Sequence, residues 1–183
     1  MDIREPVNDL EEAIRSAVQA VKNDVWTTAP GIVTKKSKDG QVVQEIQLAI
    51  QGQNWGPDGK ITKVKYPVLK SAPIHFRGGG GDTKNVVLHT HPVKEGDEVR
   101  VDFHKHGFDS WKKEGGVDND APDNRAHHLS DATVSVGLWS DKRKAPNINL
   151  DGSQIRSHSG QITHHVLPEG IDGGIIQIGK SVV

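Results

Sequence analysis

Valine and isoleucine together outnumber leucine 34 to 8 in this chain. Branching at Cβ stiffens a side chain and suits it to the pleated surface of a sheet better than to a helix. With 20 glycines available for turns, the sequence predicts a mainly β protein. Val, Ile, Leu and Phe supply 45 of 183 residues, above the roughly 20% floor below which disorder is expected. The core is nevertheless thin, because aromatics are 4% and the mean hydropathy is −0.58. A chain of this kind is expected to finish burying itself against copies of itself.

Several classes are excluded early. The length allows one domain, or one small domain with an appendage. With no cysteine, disulfide frameworks and thiolate chemistry are ruled out. No segment approaches the roughly 20 apolar residues of a membrane helix. The opening Met1-Asp-Ile-Arg-Glu-Pro6 lacks the pattern of a signal peptide. A net charge of −1 argues against nucleic-acid binding, which needs a basic excess.

Residues 6 to 23 carry the one helical pattern. Val7, Leu10, Ile14, Ala17 and Val21 recur at three and four spacing, an a/d seam. Asn8 and Glu11 have capping-box spacing. The seam faces either its own domain or another chain. From Trp26 onward the texture is that of strands. Asp39-Gly40 marks a turn, and Ile46, Leu48 and Ile50 alternate with polar residues. Gln51 to Lys60 reads as a loop. Residues 61 to 69 and 85 to 103 read as strands, 104 to 128 as polar and irregular, and Val134 to Leu138 as the last strand. Five or six short strands with turns at roughly ten-residue spacing suggest a small barrel or sandwich.

The composition breaks at Asp141-Lys-Arg-Lys-Ala-Pro146. Beyond it, residues 146 to 183 hold only five charged groups: Asp151, Arg156, Glu169, Asp172 and Lys180. Glycines cut this segment into short strands. Its 38 residues cannot bury their own faces alone. They need the barrel or other chains.

Three constellations bear on chemistry. Gly78 to Gly81 leads into Asp82-Thr83-Lys84-Asn85 and then a strand, which suits a hairpin loop better than a phosphate cradle. The chain has ten histidines. His89-Thr-His91 and His104-Lys-His106 have strand spacing, but two imidazoles are too few for a closed metal site. His158, His164 and His165 lie in the charge-poor segment. If three chains share an axis, one inward His per chain supplies three ligands and two supply six, an octahedral set suited to iron. Of His164 and His165 only one points inward if both lie on a strand. The other reading of this trio is a surface cluster. Ser130-Asp131 beside His127 and His128 suggests a catalytic triad only superficially, with no strained nucleophile elbow.

Residues 25 to 140 resemble the N-terminal barrel of central spike proteins from contractile phage tails. The matching pieces are Pro30-Gly31-Ile32-Val33, Pro73-Ile-His-Phe-Arg-Gly-Gly-Gly80, Pro92-Val-Lys-Glu-Gly-Asp-Glu98, Phe108-Asp-Ser-Trp111 and Pro122-Asp-Asn-Arg-Ala-His-His-Leu-Ser-Asp-Ala132, leading into Gly137-Leu138. The resemblance implies an OB-type barrel that trimerises, followed by an intertwined β-helix tapering to a point. Spikes of that family often hold iron through a His-x-His pair from each of three chains. This sequence has no His-x-His in its C-terminal segment. The short segment implies a stubby spike with no room for a lysozyme module.

The expected architecture is therefore mainly β: an N-terminal helix (1–24), an OB-type barrel (25–141) and a short intertwined trimeric β-helix spike (142–183). The expected function is a non-enzymatic, cell-puncturing tip in the virion, at the tail baseplate. Its expected partners are two further copies, the tail hub and baseplate proteins, and the host outer membrane, without nucleic acid. His158, His164 and His165 are the candidate metal ligands, with iron at a three-fold axis. The alternative is a His-rich metal-dependent hydrolase on a β barrel.

Overall fold

The computed structural model describes residues 5–56, 59–79, 87–121, 124–145, 148, 153–156 and 163–166. The chain divides into two units, Met1–Leu138 and Trp139–Val183.

The first unit begins with helix α1 (Glu5–Asp24). It starts a turn before Asn8, so Asn8 sits inside the helix and the capping-box reading is corrected. The strands of this unit are β1 (Thr28–Lys35), β2 (Val42–Leu48), β3 (Gln51–Trp55), β4 (Ile61–Lys65), β5 (Leu69–Pro73), β6 (Arg77–Gly79), β7 (Val87–His89), β8 (Glu98–Phe103) and β9 (Ala132–Val136). A short helix α2 spans Asp109–Glu114. That helix lies in the stretch read as irregular, and β3 lies in the stretch read as a loop. Short polar elements of this kind carry no apolar period, so the pattern of the sequence does not reveal them.

Five strands form one antiparallel sheet in the order β5-β2-β1-β8-β9. The sheet curls into a half-barrel until its edges touch. Ile74, just past β5, bridges Val134 of β9 in parallel, and the His75 N–H donates to the Val134 carbonyl at 2.7 Å. Two further hairpins, β3-β4 and β6-β7, stand outside this sheet. The latter flanks the glycine run as a hairpin, while residues 80 to 86 themselves lie outside the described residues.

Alternation fills the concave side. Ala29 and Val33 of β1, Val99, Val101 and Phe103 of β8, and Ala132 and Val134 of β9 are all buried. On β2, Val43 is buried as well as Ile46 and Leu48, whereas Ile50 is exposed. Val43 and Ile46 are three apart, so β2 changes face between them. The neighbours change at the same level. β1 has an irregular register between Val33 and Lys35, and Ser71 of β5 sits at φ 57° in the left-handed region. Such bulges bend a strand and let a sheet curl.

The turns follow from their side chains. Asp39 Oδ1 accepts the N–H groups of Gln41 at 2.9 Å and Val42 at 3.1 Å. Ser37 Oγ accepts the Gly40 N–H at 2.7 Å. The Gln41 and Val42 N–H groups, and then the Ser37 hydroxyl, hold the Asp39 carboxyl below its usual range. In the turn before β8, Asp97 Oδ2 accepts the Lys94 N–H at 2.7 Å, and Gly96 takes φ 86°. The first and third motifs of the spike resemblance thus contain a packing glycine and a tight turn. At Gly31 an added Cβ would lie 2.8 Å from Ile46 Cγ2 and 3.0 Å from Val101 Cγ2.

The second unit contains a 3-10 turn at Asp141–Arg143 and the strands β10 (Ser153–Arg156) and β11 (Thr163–Val166), paired antiparallel within the chain. The rest of the short strands expected in this segment lie outside the described residues.

Substituting Gly31→Val overpacks the half-barrel and is expected to cost about 1–3 kcal/mol. Truncating Ile46→Ala leaves a cavity and is expected to cost about 2–5 kcal/mol. Urea denaturation followed by circular dichroism measures both. A wild-type midpoint in both variants would place the core elsewhere.

Candidate functional site

A group of polar and titratable side chains gathers on α2 and on the segment between α2 and β9. Arg125 is its centre. Its Nη2 donates to Asp109 Oδ2 at 3.0 Å and its Nη1 to Ser130 Oγ at 2.8 Å. The same Nη1 lies 3.6 Å from Oδ2 of Asp131. Asp131 is buried, at 1% exposure, and its Oδ1 has no hydrogen-bond partner among the described residues. A buried carboxylate needs a compensating cation, and Arg125 is the cation placed here. Asp109 is also gripped by Lys112 Nζ at 3.0 Å. Hydrogen bonds from Lys112 first and Arg125 second hold the Asp109 carboxyl below its usual range.

The triad-like grouping does not assemble as a relay. His128 Nδ1 is 2.8 Å from Ser130 Oγ and also accepts the Ser130 N–H at 3.2 Å. Ser130 Oγ is 3.4 Å from Asp131 Oδ2. The serine therefore lies between histidine and aspartate. A nucleophilic triad needs the histidine in the middle, oriented by the acid. His128 and Ser130 are two residues apart in one tight turn, closed by the Asp131 N–H on the His128 carbonyl at 3.0 Å. The cluster is a turn staple.

His127 ties the start of the sheet. Its Nδ1–H donates to the Trp26 carbonyl at 2.9 Å, and its carbonyl accepts the Trp26 N–H at 3.3 Å. It does so at φ 51°. Trp26 then packs edge-on against Tyr66 at 4.6 Å and against Phe103 at 5.3 Å.

The two His-x-His pairs take different paths. His104 is half-buried, its ring 4.4 Å from that of Phe108 and its Nε2 3.2 Å from Thr133 Oγ1. His106, His89 and His91 are exposed. No group of three or more candidate metal ligands assembles among the described residues. In β11, His164 pairs in register with Ile155 and His165 with Gln154. His158 lies outside the described residues.

Two features were not legible in the sequence. An open cleft of about 1180 Å³ is lined by Asp39, His75, Phe76, His91, Trp111 and Lys112, among others. Those residues come from four separate segments, so no local spacing announces it. Arg125 was missed as well, since an arginine five residues before Ser130-Asp131 carries no local pattern that marks it as an anchor.

Replacing Arg125→Gln strands the Asp131 carboxylate and is expected to cost about 3 kcal/mol. The pH dependence follows from the lowered carboxyl of Asp109. Its contribution is full above the unfolded value near 4 and is lost as pH falls through the lower folded value. Arg125→Gln removes part of that grip, so acid titration of the melting temperature below about pH 4 should be shallower than in the parent. An identical acid limb in both proteins would show that the clamp does not govern it.

Residues 29–137 match the family described as Phage protein Gp138 N-terminal domain. No curated protein matches the chain.

Proposed function

Since this chain belongs to the Phage protein Gp138 N-terminal domain family, we propose that it is the structural, cell-puncturing central spike of a contractile phage tail. It is a phage protein, and the family match over 29–137 is the observation that carries the reading. In this proposal it is a virion component at the baseplate tip, it has no catalytic activity, and it pierces the host outer membrane mechanically when the sheath contracts. The half-barrel is an OB-type barrel that docks on the tail hub. The strand order supports that detail: going round the sheet and across the Ile74–Val134 bridge, the five strands follow the sequence first, second, third, fifth, fourth, which is the five-stranded Greek-key arrangement of that fold.

The working part is the segment from 142 to 183, contributed by three chains. Strands paired across chains share their backbone hydrogen bonds, so separating one chain means breaking many bonds together. Such a rod transmits compression without an active site. The pairing of β10 with β11 supplies hairpins from which a shared β structure can be built.

Imidazole suits iron. His164 or His165 would provide one nitrogen per chain, and His158 would bring a three-chain set to six. Bound there, the metal supplies a crosslink between the three chains.

Light scattering of the native protein is expected to give three times 19.9 kDa. Elemental analysis is expected to give about one iron per three chains, with chelation lowering the melting temperature. A clean monomer would refute the spike. One tightly held metal per chain would favour the hydrolase instead. Deleting residues 146 to 183 should lower the melting temperature sharply, whereas an unchanged melting curve would argue against strands shared between chains.

A further inference from the structure

We infer that α1 is a parallel seam between copies of this chain, a second assembly device beside the C-terminal strands. The inference takes the number of copies from the functional reading above; the seam itself is argued from α1.

Every residue from Leu10 to Lys22 is solvent-exposed. That includes Leu10 at 62%, Ile14 at 56%, Val18 at 48% and Val21 at 66%. No other element of the described residues covers this face. A 20-residue helix is marginal alone in water, and most helices persist because an apolar stripe is packed. Something must lie along it.

The chemistry of the stripe selects the occupant. With Val7, Ile14 and Val21 at a, Leu10 and Ala17 fall at d, Glu11 and Val18 at e, and Ala13 and Ala20 at g. In a parallel, in-register pair, each g residue faces the following e′ residue. Here those pairs are Pro6 with Glu11 and Ala13 with Val18. No like charges oppose one another, so identical helices meet without repulsion. Glu11 is engaged within its own helix by Arg15 Nη2 at 2.7 Å. A membrane surface fits less well. Interfacial helices carry a lysine- and arginine-rich polar face, whereas this one carries Asp9, Glu11 and Glu12 against Arg15 and Lys22.

The a and d residues taken alone suit two strands. Val18 at e, with Ala13 and Ala20 at g, widens the apolar face beyond what a two-stranded seam covers, which accommodates the third chain. The attachment also favours a defined geometry. One residue, Val25, separates α1 from Trp26, and Trp26 is fixed to His127 by two hydrogen bonds. Aligned helices would therefore align the half-barrels behind them.

The absence of native cysteine makes the test clean. Full-length Ile14→Cys and Val21→Cys place a thiol at a positions, and Glu12→Cys places one on the opposite side. Under mild oxidation, Ile14→Cys and Val21→Cys are expected to give interchain disulfide dimers on non-reducing gels, and Glu12→Cys none. Light scattering of the same samples before oxidation reads the assembly state. A three-chain mass without crosslinking at 14 or 21 would overturn the seam and leave the spike reading standing, with a partner helix from another protein as the occupant. Equal crosslinking at position 12 would also overturn it, as random collision. A monomer would overturn both.

Discussion

The contact on which this structure depends is the meeting of the two edges of one antiparallel sheet. Where Ile74 bridges Val134 and His75 donates to the Val134 carbonyl, the sheet has curled enough to enclose its own apolar side. Without that curl, the twelve hydrophobic residues buried among the described residues would form one wet face of a flat sheet. Most of them are small or β-branched, and Phe103 is the lone aromatic among them. A core this small encloses little volume, so it tolerates little extra bulk. This explains why Gly31 stands where β1 crosses Ile46 and Val101.

Polar staples hold what the core does not reach. His127 fastens the chain entering β1, Arg125 fastens the loop entering β9, and Asp39 and Asp97 close the turns entering β2 and β8. Each staple ties a strand end to a segment whose apolar contact with the core is a single partly buried residue or none. A carboxylate or imidazole meeting backbone groups supplies directional restraint in few residues. That economy suits a chain with 4% aromatics. It also accounts for histidines and acids that resemble catalytic groups in sequence while acting as fasteners in the fold.

Under the proposed function, the burdens of the two ends differ. The half-barrel is closed within one chain. By contrast, α1 has an exposed apolar stripe, and the C-terminal segment is charge-poor with strands of four residues. In that reading, both ends leave their burial to further copies of the chain. A trimeric spike loaded along its axis would complete both by the same association.

Much of the fold was legible in periodicity. The 3.6-residue spacing of Leu10, Ile14 and Val21 specified α1, and the alternation of Val99, Val101 and Phe103 specified the inward face of β8, because both patterns follow from local backbone geometry. The Asp39-Gly40 turn was legible for the same reason. Other features were not. β3 and α2 are short and polar, so their formation rests on neighbours rather than on pattern. Val43 and Ile46 break alternation, because a register irregularity on one neighbour and the left-handed Ser71 on the other let β2 change face. The sequence by itself determined the strand-rich class, the apolar helix stripe and the charge-poor tail, which depend on composition and spacing within a few residues. Only the tertiary structure decided that Ser130 lies between His128 and Asp131, that Arg125 neutralises a buried carboxylate, and that β5 and β9 meet. Those outcomes depend on which distant segments the curl of the sheet brings within hydrogen-bond reach.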